Sequence, residues 1–192
     1  MNQKIFPAAR TVKEFETLAK SDYESIIILD IHLSQLRKIG ELAKAYQKKL
    51  FIHIELIQGL QADKSGVEFA CSECNPHGIL STKPAVIQAA KQRGVITIQR
   101  VFLLDSHSFK KSCALLAKSN PDYIELLPGI SSKLIKKFKE AMRIPVLAGG
   151  FIETIQEVNE AIDAGAEAIT TSRKELWFGE DESGNLKKRN SE

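Results

Sequence analysis

The sequence predicts an α/β chain folded as a single (β/α)8 TIM barrel with eight parallel strands, and three observations carry the prediction. Short apolar runs alternate with longer stretches of helical period, the pattern of parallel strands joined by crossover helices. Eight such runs occur, at residues 4–8, 25–31, 50–56, 78–81, 95–101, 123–127, 145–148 and 168–172. Periodicity alone also allows an open doubly wound sheet, but a nucleotide-binding sheet of that kind carries its glycine-rich turn after the first strand. Here the glycine pair comes late, at Gly149-Gly150. With 192 residues, 43% of them hydrophobic, one core is expected and a second domain would be starved of residues. Residues 1–178 are assigned to the barrel. Residues 179–192 lack the apolar groups to pack and are expected to be a disordered polar tail.

The elements follow in order. After the first strand Thr11 is placed to cap a helix, as Asp63 and Thr154 are further on, and Thr154 has Glu157 three residues later, as a capping box requires. The helix at 34–49 turns Leu36, Ile39, Leu42, Ala43 and Tyr46 inward and Arg37, Glu41, Lys44 and Lys48 outward. The third strand alternates, so that Ile52, Ile54 and Leu56 face the helices while Phe51, His53 and Glu55 face the lumen. Cys71 and Cys74 with His77 supply only three ligands and no second cysteine pair, so they read as buried helix cysteines and no metal site is assigned. In the sixth strand Glu125 shares the inward phase of Tyr123 and Leu127. The helix at 132–143 buries Leu134, Ile135, Phe138, Ala141 and Met142.

Composition narrows the function classes. No apolar run reaches the length of a signal peptide or membrane span, and three cysteines without a secretory context indicate reduced thiols, so a soluble cytoplasmic protein is expected. The net charge of +3 is too small to announce a nucleic-acid binder. Its distribution is uneven: residues 106–143 hold eight Lys/Arg against three Asp/Glu. Lys110, Lys111, Lys133, Lys136 and Lys137 fall on two consecutive helices whose outer faces could merge into a basic strip. The region of the seventh helix is acidic, with Glu153, Glu157, Glu160, Asp163 and Glu167.

In a barrel of this class the working face is built from the C-terminal strand ends and the loops that follow. Those positions hold Asp30, Glu55, Lys83, Arg100, Glu125, Gly129, Gly149-Gly150 and Thr171-Ser172-Arg173. Gly149 and Gly150 let the backbone approach a ligand, and Thr171 and Ser172 offer donors from the neighbouring strand end, the usual place for a phosphate in such barrels. Lys83 and Arg100 suit an anionic ligand. His53 and Glu55 fit a hydroxylated ligand, a divalent metal, an acid/base pair or a purely structural pair. Glu55 and Glu125 fit the hydroxyls of a polyol or a Mg²⁺ ion equally well; nothing else in the sequence supports Mg²⁺, and no cofactor is required.

Across residues 6–172 the chain resembles the glycerol uptake operon antiterminator regulatory proteins, the GlpP family. The segments that carry the resemblance are FPA at 6–8, FIHIELIQGL at 51–60, GILSTK at 78–83, GVITIQRVFLLDS at 94–106, PDYIELLPG at 121–129, PVLAGGF at 145–151 and AITTS at 168–172. The resemblance implies an RNA-binding regulator, not an enzyme, that responds to glycerol 3-phosphate. It would prevent premature termination in the leader mRNA of glycerol-utilisation genes. The basic residues lie outside those segments, so the RNA surface does not transfer with them. The alternative is a phosphosugar or triose-phosphate isomerase or lyase with Glu55 or His53 as base. Such an enzyme generally needs a mobile lid, and the loops are short except at 57–65. A metal-dependent phosphodiesterase needs a fuller set of ligands than His53, Glu55 and Glu125.

Overall fold

The computed structural model of the protein describes residues 3–180 and 186–188. Eight parallel strands close on themselves in sequence order: β1 (Ile5–Ala9), β2 (Ser25–Ile28), β3 (Lys49–His53), β4 (Gly78–Ser81), β5 (Ile96–Phe102), β6 (Tyr123–Leu127), β7 (Val146–Gly149) and β8 (Ala168–Thr171). Closure is sealed by β1 against β8, with Phe6 opposite Thr170. The crossovers carry α1 (Val12–Ala19), α2 (Leu36–Ala45), α3 (Lys64–Cys74), α4 (Pro84–Gln92), α5 (Ser106–Ser119), α6 (Ser132–Ala141) and α7 (Ile155–Asp163), and the four-residue α8 (Lys174–Trp177) follows β8.

The helices begin where hydroxyl and carboxylate side chains can accept from orphan amides. Thr11 accepts from Glu14, Asp63 from Gly66, and Thr154 from Glu157, whose carboxylate returns to the Thr154 amide. In α2, Leu36, Ile39 and Ala43 are buried as their spacing requires, while Tyr46 falls one residue past the helix and is exposed. Ile135 and Phe138 anchor α6, and Ala141 at its end is exposed instead of buried. In α3 the Cys74 thiol is pushed up to about 12, chiefly by burial, and points at the Ala70 carbonyl. That thiol stays protonated, a poor metal ligand.

Two cores result. The larger lies between sheet and helices. The smaller fills the lumen, where Phe6, Ile27, Phe51, Leu80, Ile98 and Leu147 meet and Phe6 and Phe51 touch edge to face at 4.8 Å. Gly78 leaves room for that aromatic pair: a Cβ there would sit 2.4 Å from the Phe51 ring.

The third strand ends earlier than its alternation suggests. Ile54–Leu56 form a 3₁₀ turn, which rotates the chain so that Leu56 packs on the lumen cluster, whereas alternation had pointed it at the helices. Of the tail expected to be disordered, Gly179 and Glu180, continuing from Phe178, pair with Leu186–Lys188 as an antiparallel ribbon. Residues 181–185 and 189–192 lie outside the described residues.

Candidate ligand site at the barrel mouth

Above the lumen cluster the inward positions turn polar. On β5 the inward phase runs from Ile98 to Arg100, and on β6 Glu125 continues from Tyr123, so the two meet across the register pairing of their strands. Arg100 Nε donates to Glu125 Oε2 at 2.5 Å, and the Thr170 hydroxyl of β8 donates to Glu125 Oε1 at 2.6 Å. Gly149 has no side chain because those groups occupy the space: a Cβ there would meet Thr170 Oγ1 at 2.4 Å and Glu125 Oε1 at 3.2 Å. Gly129 is backed against the same strand end, its amide donating to the Gly149 carbonyl at 2.6 Å, just beyond the cis Leu127–Pro128 peptide.

On the β3–β4 side Glu55 Oε1 accepts from the Ser81 hydroxyl (2.8 Å), the Thr82 amide (2.6 Å) and the Thr82 hydroxyl (2.8 Å). Burial pushes the Glu55 carboxyl up, but those donors outweigh it and hold the group below the usual carboxylate range. Burial, and then the Arg100 charge, pushes His53 below the usual imidazole range, against the opposing pull of Glu55 and Glu125. A neutral imidazole thus stands beside an ionised carboxylate. They do not satisfy each other: His53 Nδ1 is 3.5 Å from Glu55 Oε2 without a hydrogen bond. Both His53 ring nitrogens and Glu55 Oε2 are buried without a hydrogen-bond partner. A molecule carrying hydroxyls, able both to donate and to accept, would satisfy them.

A cavity of about 420 Å³ opens over this layer. Among the strand-end residues anticipated from the sequence, Arg100, Glu125, Gly150, Thr171, Ser172 and Arg173 form its walls. Asp30 comes to the rim through Arg10, whose Nη1 it accepts at 2.6 Å. His53, Glu55, Gly149 and Gly129 are not among the wall residues. Lys83 turns aside, its ammonium reaching the Ala62 carbonyl at 3.2 Å.

Arg10 and Phe151 also line the cavity and were not anticipated as site residues, while Arg173 belongs to the strand-end stretch Thr171-Ser172-Arg173. Arg10 and Arg173 each follow a strand end, and Arg173 is steered by Glu153 at 2.5 Å. With Arg100 they place three guanidinium groups around one cavity, chemistry suited to a phosphate or carboxylate. Gly150 and Phe151 both have left-handed backbone, with φ of 76° and 60°. Such a conformation is easy for glycine and strained for phenylalanine. Among the described residues no group of three or more His, Cys, Asp or Glu is arranged to hold a metal ion, and no helix is long and apolar enough to cross a membrane.

Outside the mouth, α5 and α6 adjoin through Phe109 and Phe138, whose rings meet at 4.8 Å, and Lys137 Nζ lies 4.3 Å from the Phe109 ring centroid. Lys110, Lys111, Lys133, Lys136 and Lys137 are all exposed on these two helices.

Residues 5–177 match the family described as glycerol-3-phosphate responsive antiterminator. A crystal structure of the glycerol uptake operon antiterminator regulatory protein from Listeria monocytogenes str. 4b F2365 superposes with a TM-score of 0.89 at 42% identity, covering 92% of this chain and 96% of that one. A glycerol uptake operon antiterminator-related protein from Thermotoga maritima MSB8 shares the fold, with a TM-score of 0.78 at 24% identity over 90% of this chain and 96% of its own. The YgcP protein of Escherichia coli (strain K12) is 32% identical over 173 residues, 90% of this chain and 91% of that protein. A family match over nearly the whole barrel, joined to close structural likeness, shows that the chain belongs to the glycerol-3-phosphate responsive antiterminator family.

Proposed function

We propose that the protein senses glycerol 3-phosphate in the barrel mouth. When loaded, it binds the leader mRNA of glycerol-utilisation genes in the cytoplasm and prevents premature termination, without transforming its ligand. The observation that carries this reading is the mouth cavity, where Arg10, Arg100 and Arg173 surround a space floored by polar groups. The phosphate rests near Gly150, Thr171 and Ser172, within reach of guanidinium groups. The hydroxyls turn toward Glu125 on the cavity wall, and the buried His53 lies close enough to feel the charges of Glu125 and Arg100. Gly149 and Gly129 support the site from behind by close packing.

Calorimetric titration tests the reading. Glycerol 3-phosphate is expected to bind and plain glycerol to bind far more weakly, because only the former engages the arginines. Gly150→Asp places a carboxylate in the cavity and is expected to abolish binding. Unchanged affinity in that variant would reject the phosphate assignment.

One observation favours a second reading. A neutral His53 beside an ionised Glu55 is also what an isomerase or lyase would use as its base. Incubation with triose, tetrose and pentose phosphates decides: a steady turnover lost in Glu55→Gln would replace the regulator with an enzyme.

A further inference from the structure

We infer that the rim formed by the loops after β5, β6 and β7 is the RNA-binding surface, and that it takes single-stranded RNA. Bases stack on Phe102 and Phe151, and lysines of α5 and α6 hold the backbone. The inference rests on the regulator reading and assigns it a place on the molecule.

Four large apolar side chains are exposed on this rim: Leu104 is 93% exposed, Phe151 76%, Phe102 54% and Ile130 44%. They come from three consecutive connections. Phe102 pairs in register with Leu127, and Leu127 is the neighbour a Gly150 side chain would meet, at 3.4 Å. The ends of β5, β6 and β7 therefore stand in a row spanning roughly 10 Å, two interstrand spacings. Phe102 also continues the inward phase of Ile98 and Arg100 at the end of β5, beyond the residues that wall the cavity. Apolar side chains this exposed and this close together mark a surface that meets something.

Charge identifies the occupant. Lys110 and Lys111 lie in the second turn of α5, and Lys133, Lys136 and Lys137 in the first two turns of α6. Barrel helices start on the same face as the strand ends, so these ammonium groups flank the apolar rim. Aromatic rings beside a cationic track are the chemistry of single-stranded nucleic acid, because each base offers a π-face and each nucleotide a phosphate. A protein partner would need an acidic surface that also carries apolar groups matched to these positions, whereas every nucleotide brings both a π-face and a phosphate.

Phe151 connects this surface to the ligand. It lines the cavity, is held at φ 60°, and presents most of its ring to solvent. A phosphate settling against Gly150 and Ser172 alters the surroundings of that strained residue, so occupancy bears directly on whether its ring is presented to RNA.

The experiment measures binding of the leader transcript upstream of the glycerol-utilisation genes in the protein's own genome, with glycerol 3-phosphate present, to the full chain and to Phe102→Ser/Leu104→Ser. Neither residue lines the cavity, so glycerol 3-phosphate affinity, read by calorimetry, is expected to stay within about twofold. RNA affinity is expected to fall about tenfold or more, given the cost of removing a stacking ring. If the parent protein binds no transcript, the regulator reading itself fails. If the parent binds and the double variant binds equally well, only the assigned surface fails. Photo-crosslinking of 4-thiouridine transcript to the parent protein gives an answer independent of the variant's folding: crosslinks at the rim residues support the assignment, and crosslinks confined elsewhere overturn it. Sedimentation reads the remaining outcome, since a parent dimer made monomeric by the substitutions, with RNA affinity intact, would make the rim a self-association face.

Discussion

His53 is 3% exposed, and neither of its ring nitrogens finds a hydrogen-bond partner. A buried polar group without a partner costs about 1–3 kcal/mol. The same burial gives it a signature in pH. In the unfolded chain the imidazole takes a proton near pH 6.5, whereas in the fold burial and Arg100 hold its pKa lower. Below pH 6.5 the unfolded state therefore binds more protons, and stability is lost as the pH falls toward the folded value. Glu55 has the same sign, contributing stability that persists above its unfolded pKa and is lost in more acidic solution. Replacing His53 by Leu removes the titrating group and the unsatisfied atoms together. At pH 7 the variant is expected to be as stable as the parent or about 1 kcal/mol more so, and thermal melts between pH 7 and 5.5 should lose most of their slope. Its affinity for glycerol 3-phosphate should fall. Reduced stability at pH 7 with unchanged affinity would make His53 a structural residue.

Between neighbouring elements, glycines set how closely a loop can approach a strand. A Cβ on Gly129 would lie 2.5 Å from the Gly149 nitrogen and 2.8 Å from the Ala148 carbonyl carbon, and backbone has no rotamer with which to give way. Gly129→Ala is therefore expected to destabilise the protein by about 1–3 kcal/mol, lowering Tm by about 2–4 °C for each. At Gly150, placed against the phosphate, a substitution is expected to weaken ligand binding as well, because its φ of 76° adds backbone strain to the lost contact. This distinction was not legible in the sequence, where Gly129, Gly149 and Gly150 all read as strand-end glycines; only at the third would a Cβ meet its neighbour, Leu127, at an ordinary contact distance of 3.4 Å. The elements themselves were legible, because parallel strands buried on both faces leave continuous apolar runs and helices leave a clear period. Strand three misled by one turn: IHIEL alternates like a strand, yet the chain leaves the ladder at His53, and Leu56 turns inward. Arg10 was invisible for another reason. It reaches the cavity only because β1 closes against β8, and nothing local in Ala9-Arg10-Thr11 records that closure.

At the scale of the whole molecule, charge is segregated around a nearly neutral barrel: α5 and α6 carry the lysines, and α7 carries Glu157, Glu160 and Asp163. An RNA strand crossing the rim would be held on the α5–α6 side and repelled from α7, so its path has a direction. Such a strand displaces counterions as it docks, and its affinity should fall with salt at a logarithmic slope of about −0.7 for each phosphate neutralised. Lys133→Glu/Lys136→Glu removes two of the lysines that hold phosphates, which predicts a shallower slope by about 1.4 as well as weaker binding. Coupling to the ligand adds a constraint that charge alone does not. If glycerol 3-phosphate favours the rim conformation that binds RNA, the transcript must tighten glycerol 3-phosphate by the same factor, since the two arms of the cycle share their end states. The charge-reversed variant separates the terms: its affinity for glycerol 3-phosphate without RNA should match the parent's, because neither lysine lines the cavity. Titrating glycerol 3-phosphate with and without saturating transcript, for both proteins, tests this cycle. Equal ligand affinity in the presence and absence of transcript for the parent would mean that the mouth and the rim bind independently.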